Sequence, residues 1–284
     1  MRSKHLYQIC QARYHTLSDL VFRKYSPTEQ DRLSSRIFLA NVGANASHRF
    51  SSPVFEDGSF EFLPIPEDRE LSIPYAVRYR DLQPYNISKS DLLDYVPRRL
   101  WDQTAHNDPE FDTFTYGDNC NTSPRAASLK WIQPGDFLFF ISRLQHWIDN
   151  RPGITHGFYL LGYLEIEAIL ANVRSQPDPS IMSRWGHNAH IRRGLSNNDL
   201  WDGFWVFAGT PQSKRFRRAL PVTRDLAERV FTQADGSAWQ WNSGRTDLQV
   251  IGSYTRSCRC IIDPQLSRHR TRAEALWDWV DQYI

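Results

Sequence analysis

Thirteen consecutive residues concentrate groups that do chemistry: His106-Asn107-Asp108-Pro109-Glu110-Phe111-Asp112-Thr113-Phe114-Thr115-Tyr116-Gly117-Asp118. Asp108, Asp112 and Asp118 could serve as general acid and base, because neighbouring carboxyls divide those roles when their surroundings push the two pKa values apart. His106-x-Asp108 could instead open a divalent-cation site, with Asp112 or Asp118 completing it. Tyr116 could donate a hydrogen bond to a base or a sugar. Pro109 and Gly117 punctuate the run, so it reads as a bent loop. A rigid scaffold can aim such a loop at a ligand. The plainer reading is a surface loop in which Asp and Asn satisfy turns.

Other candidates lie outside this loop. Asn41 and Asn45 each carry a donor and an acceptor, the pattern that meets a Watson–Crick edge; strand-end turns use the same residues. Glu61 sits among Phe55, Phe60 and Phe62, which alternate with polar residues as a half-buried strand would, and this makes it a better functional candidate than the turn residue Asp57. Arg256 and Arg259 could hold phosphate, as could Arg192 and Arg193, and such contacts position a nucleic acid without specifying it. His190 is a candidate substrate contact; His146 and His156 read as structural. Cys120 abuts acids that would raise its thiol pKa and so oppose a nucleophilic role. Gly-x-Ser-x-Gly does not occur, and Gly43 stands alone, without a phosphate-loop pattern.

The bulk of the chain narrows the class. A length of 284 residues with 40% hydrophobic and 23% charged residues is ordinary for a globular protein of one large or two intimate domains. The net charge of +2 gives no global electrostatic case for nucleic acid. The cations are almost all Arg, with lysine only at Lys4, Lys24, Lys89, Lys130 and Lys214. Arg192-Arg193, Lys214–Arg218 and Arg268–Arg272 suggest a local basic face. Cys10, Cys120, Cys258 and Cys260 fit no zinc-ribbon spacing. No apolar run reaches the length of a membrane span, and no apolar segment follows the N-terminal Met1–His5, so a reducing cytoplasm is the expected setting.

The elements that must position these groups follow from local pattern. Helical pieces are expected over 5–33. Ile37–Ala40 is a buried strand, Asp57-Gly58 a tight turn between extended segments, and Pro64 and Pro66 enforce extended backbone. Ser90–Leu100 reads as a helix capped by Ser90. Pro134-Gly135-Asp136 starts a strand at Phe137–Ile141, followed by strands over Gly157–Ile166 and Trp201–Gly209. Pro221–Phe231 and Ala273–Ile284 read as helices. Few helices and non-repeating strands indicate an α+β fold.

Two resemblances rest on these blocks. Pro134–Phe140 with Tyr159–Leu164 resembles the PUA-like, EVE and ASCH group, small β-barrels that hold nucleobases. Asn41-x-Gly43-x-Asn45, Pro53-x-Phe55-x-Asp57-Gly58-x-Phe60-Glu61, Pro64-Ile65-Pro66-Glu67, the His106–Asp118 loop, Gly135-Asp136, Asn188-x-His190, Ala208-Gly209 with Ser213, and Tyr254-Thr255-Arg256-Ser257-x-Arg259 occur in that order. Together they resemble the nucleotide modification associated domain family, third type, across roughly 36–262. That resemblance implies phage and bacterial DNA base modification as the setting and leaves the reaction open.

The expected molecule is therefore an α+β protein with a mixed, largely antiparallel sheet or PUA-like barrel and peripheral helices. Residues 1–35 would form an N-terminal helical extension, 36–265 the nucleotide-modification-associated domain and 266–284 a C-terminal docking helix. The expected function is binding of a nucleobase or nucleotide in a polar-aromatic pocket, with His106, Asp108, Asp112, Asp118 and Glu61 as candidate catalytic groups. Asn41, Asn45, Tyr116, His190, Arg256 and Arg259 are the candidate substrate contacts. DNA or a nucleotide is the expected partner, alongside other base-modification enzymes; no cofactor is identified, and a divalent cation is compatible with the acids. The alternatives are a non-catalytic reader of modified bases and a carboxylate-dependent hydrolase or glycosylase.

Overall fold

The computed structural model describes residues 28–283 other than 45, 87–90, 150 and 234. In chain order the strands are β1 (Ile37–Asn41), β2 (Pro53–Phe55), β3 (Ile65–Pro66), β4 (Ala105–His106), β5 (Thr115–Asp118), β6 (Phe137–Ile148), β7 (Arg151–Val173), β8 (Phe204–Gly209), β9 (Lys214–Pro221) and β10 (Arg259–Ile262). The α-helices are α1 (Glu29–Ser34), α2 (Met182–Trp185), α3 (Ala189–Ser196), α4 (Arg224–Val230), α5 (Asp247–Tyr254) and α6 (His269–Tyr283). The fold is α+β. Its eight-stranded sheet runs β10-β1-β6-β7-β8-β5, with β2 added beside β6 and β9 beside β7. β1 and β2 pair with β6 in parallel, and the other neighbours are antiparallel. β3 and β4 form a separate two-stranded ribbon.

The sheet does not close, which corrects the barrel alternative. β10 and β5 stand at opposite ends of the strand order and do not pair with each other. Both faces are instead covered, and this explains the unbroken apolar run Phe137-Leu138-Phe139-Phe140-Ile141, in which every residue is buried. Phe137, Phe139 and Ile141 pack toward α4, α5 and α6, alongside Leu226, Ile251 and Leu276. Leu138 and Phe140 face the opposite way, toward Phe60, Phe62, Tyr116, Leu129 and Ile132. One face therefore rests on helices. The other rests on the loops that carry the chemistry.

α6 docks through Trp277, whose ring meets Phe137 at 5.0 Å, Phe139 at 5.3 Å and Tyr163 at 5.4 Å. Its indole N–H donates to the Arg32 carbonyl at 3.1 Å, which ties α1 to α6. The helix begins at His269, one turn earlier than its apolar pattern indicates.

Two local expectations need correction. The segment ending at Leu100 is not one helix but two 3-10 turns, Leu92–Tyr95 and Arg98–Leu100. Pro97 offers no N–H and holds Val96 extended, so the helix cannot pass. Asp91 supplies the cap, accepting from the Leu93 N–H at 3.0 Å; Ser90 lies outside the described residues. The strand reading around Glu61 fails as well. Only Phe60 bridges, antiparallel to Val54, and Glu61 lies outside any strand. Of the helical pieces expected over 5–33, α1 is present and the rest falls outside the described residues. Among the described residues no helix is long and apolar enough to cross a membrane.

Candidate functional site

The His106–Asp118 loop divides its side chains between two clefts. His106, Asp108, Tyr116, Gly117 and Asp118 line a cleft of about 770 Å³ together with Asn41, Glu67, Arg125, His190, Arg193 and Arg256. Asn107, Pro109, Glu110, Asp112 and Phe114 line a second, of about 410 Å³, with Glu61, Tyr85 and Arg215. The loop is pinned between them. Glu110 and Thr115 exchange backbone hydrogen bonds at 2.9 Å in both directions. The Glu110 carboxylate accepts the N–H of Asp112 at 2.7 Å and of Thr113 at 2.8 Å. Glu110 thus closes the turn rather than facing a ligand.

Three elements bring the imidazoles and Asp108 together. The ribbon β3–β4 sets Ile65 opposite His106, so that Glu67 falls beside the His106 ring. His106 Nδ1 lies 2.8 Å from Glu67 Oε2. The Gly117 N–H of β5 donates to Asp108 Oδ2 at 2.8 Å. Asn188 caps α3 by accepting the His190 N–H at 3.0 Å, which holds His190 in the first turn, pointing toward β5. His190 Nε2 then stands 3.7 Å, and His106 Nε2 4.0 Å, from Asp108 Oδ2. The two rings meet edge to face at 4.8 Å. Asp108 Oδ1 is buried with no hydrogen-bond partner.

A second network lines the same cleft. Asp118 Oδ2 accepts from the Tyr116 hydroxyl at 2.9 Å and from Arg125 Nη2 at 3.1 Å, while Oδ1 accepts the Asn119 N–H at 2.8 Å. Arg125 also donates to the Asn41 carbonyl at 3.3 Å. The Asn41 amide donates to Thr255 Oγ1 at 3.2 Å, next to Arg256. Asn41 and the acidic loop therefore line one concavity. Asn45 lies outside the described residues.

Burial dominates the electrostatics. It pushes Asp108 well above the usual carboxylate range; the Gly117 N–H opposes the shift and the charge of Asp118 adds to it. Burial likewise holds His190 well below the ordinary imidazole value, assisted by the charges of His106 and Arg193, so its ring is neutral. Glu67 goes the other way. Burial alone would raise it, but the hydrogen bond and charge of His106, with Arg193 beside it, hold its carboxyl at about 2. Burial and the charge of Asp118 lift the Tyr116 phenol far above its usual range, so it acts as a donor.

Glu61, Asp112 and Arg259 stand apart from this cleft. Glu61 accepts the N–H groups of Tyr85 at 2.9 Å and Asn86 at 2.6 Å and lies 3.9 Å from Arg215, a strap for the 83–86 segment. Asp112 lines the second cleft. The Arg259 guanidinium covers the Tyr254 ring at 4.2 Å. The arginines are spread in the same way. Arg192 donates to the Tyr75 carbonyl, while Arg193 and Arg256 reach the cleft. Sequence reasoning singled out neither Glu67 nor Arg125. Glu67 closes the Pro64-Ile65-Pro66-Glu67 block, which was the available signal; nothing around Arg125 marks it.

The described residues contain one set of His, Cys, Asp or Glu side chains whose ligand atoms all lie within 4.8 Å of one another: His106, Asp108 and His190. The sequence profile of the family described as nucleotide modification associated domain 3 matches residues 36–260, and the chain belongs to that family. No curated protein and no solved structure matches the chain.

Proposed function

We propose that this protein catalyses a step in the modification of a nucleobase or nucleotide held in the 770 Å³ cleft. Family membership supplies the link to nucleotide modification. The observation that carries the catalytic part is that Asp108, His106 and His190 converge and share one cleft with the Asp118–Tyr116–Arg125 network. The cleft lies in the size range of small-molecule sites. Asn41 and Asp118 offer polar edges to a base, and Arg193, Arg256 and Arg125 offer cations to a phosphate.

A stacking reader would use flat aromatic faces instead. Tyr116 has its ring buried against Phe140 and its hydroxyl committed to Asp118, and Trp131 is exposed outside the cleft. These placements favour chemistry over caging. The test is nucleoside mass spectrometry of DNA and of the nucleotide pool from cells carrying the gene, its deletion, Asp108→Asn or Asp118→Asn. Loss of a modified nucleoside in the deletion and in both variants, with each variant folded, is the expected result. Modification at wild-type level in both variants would overturn the catalytic assignment.

A further inference from the structure

We propose that His106, Asp108 and His190 bind one divalent first-row transition-metal ion at the wall of the cleft. Two imidazoles and one carboxylate suit such a metal better than magnesium or calcium, which take oxygen ligands. Three protein ligands leave coordination positions free for water or substrate, the arrangement of catalytic rather than structural sites. The free positions would face the cleft, which these residues line.

Independent features of the site agree. His106 Nδ1 is committed to Glu67 at 2.8 Å, which leaves Nε2 as the ring nitrogen on the side of Asp108, 4.0 Å away. A carboxylate behind a histidine in this way orients metal-ligating imidazoles and raises their basicity. Glu67 is itself braced by the Asp68 N–H at 3.1 Å and Arg193 at 3.5 Å. Asp108 Oδ1 is buried and unpartnered, although its side chain is only 2% exposed; a cation would satisfy it. The nitrogens stand 3.7 and 4.0 Å from Asp108 Oδ2. Metal bonds of roughly 2.0–2.2 Å place tetrahedral ligand atoms about 3.3 Å apart, so the trio, whose ligand atoms lie within 4.8 Å of one another, must close by up to about 1.5 Å on binding.

The site belongs to the cleft of the proposed activity, but its test is binding, so either claim can fail alone. Full-length protein is freed of metal with a chelator and titrated with Zn²⁺ by calorimetry and with Co²⁺ by visible spectroscopy. One equivalent should bind, with ligand-field bands for Co²⁺. His106→Gln and His190→Gln should each weaken binding at least tenfold, and Glu67→Gln, which leaves all three ligands in place, by about 10- to 100-fold. Asp112→Asn, on the other cleft, should bind as wild type. Circular dichroism melts of each variant separate lost ligands from lost fold, and the Glu67 variant keeps the test decisive if a histidine variant does not fold. Absence of stoichiometric binding by the wild type, or binding that survives both histidine substitutions, would overturn the site. Metal binding without any nucleoside modification would instead leave the site standing and remove the activity.

Discussion

Gly117 lies so close to His190 that a Cβ at position 117 would sit 2.5 Å from the imidazole Cδ2. The absence of a side chain on one residue of β5 thus sets how near α3 can bring its histidine to Asp108. Gly117→Ala must displace the ring or the strand, at a cost of about 1–3 kcal/mol for overpacking. We expect a lower melting temperature and at least a tenfold loss of metal affinity and modification. An alanine variant with wild-type stability and wild-type binding would contradict this geometry.

Arg125 is predicted to matter for ligand rather than for fold. Its guanidinium joins Asp118 to the Asn41 carbonyl, yet its side chain is about half exposed (48%). An ion pair so open to water contributes about 0–1 kcal/mol. Arg125→Met should therefore change denaturation midpoints little while weakening nucleotide binding several-fold by calorimetry. A large stability loss with unchanged affinity would reverse the assignment.

Glu61 should behave in the opposite manner. Its carboxylate is buried and accepts two backbone N–H groups from the 83–86 segment. Glu61→Gln turns an acceptor into a donor against one of them and should cost about 1–3 kcal/mol. Urea melts should show that loss while metal affinity stays at the wild-type value. Abolished metal binding in a folded Glu61→Gln protein would place Glu61 in the site after all.

Trp277 holds α6 on the helix-covered face of the sheet, remote from the cleft. Trp277→Ala removes contacts with Phe137, Phe139 and Tyr163 and should cost about 3–5 kcal/mol. Guanidinium unfolding measures it. Wild-type stability would show that α6 is not required by the matched 36–260 region.

The described thiols should be inert in the native protein. Burial lifts Cys258 and Cys260 each to about 12, with Asp118 adding at the first and Asp263 at the second. Burial and Asp118 also raise Cys120. Raised thiol pKa values leave these groups protonated from neutral pH up to about pH 9, and only thiolate reacts. Peptide mapping after maleimide treatment at pH 8 should find these three labelled only once the chain is denatured. Rapid native labelling of Cys120 would reopen its case as a nucleophile.

The covered sheet was legible because strand burial writes itself into consecutive residues. Phe137–Ile141 needs no partner information to be read as a strand, and Pro134-Gly135-Asp136 announces its start. The sequence also pointed to the His106–Asp118 loop, because imidazole, carboxyls and phenol are close in the chain. Where local pattern misled, tertiary demands had prevailed. Phe60 and Phe62 alternate because both fill the loop-covered core, not because a strand passes through Glu61.

By itself, then, the sequence determined the α+β class, the main strands and the family, and it marked Asn41, His106, Asp108, Tyr116, Asp118 and Arg256 as candidates together with Glu61, Asp112 and Arg259, which stand apart from the cleft. Only the tertiary structure decided which of the loop's acids face which cleft. It also decided that His190, distant in sequence, rather than Asp112 or Asp118 completes a trio with His106 and Asp108, and that Glu67 stands behind His106. The reason is that local propensity acts over a few residues. The trio depends instead on the β3–β4 ribbon, the edge strand β5 and the Asn188 cap of α3 meeting across the loop-covered face, and no short-range pattern encodes that meeting.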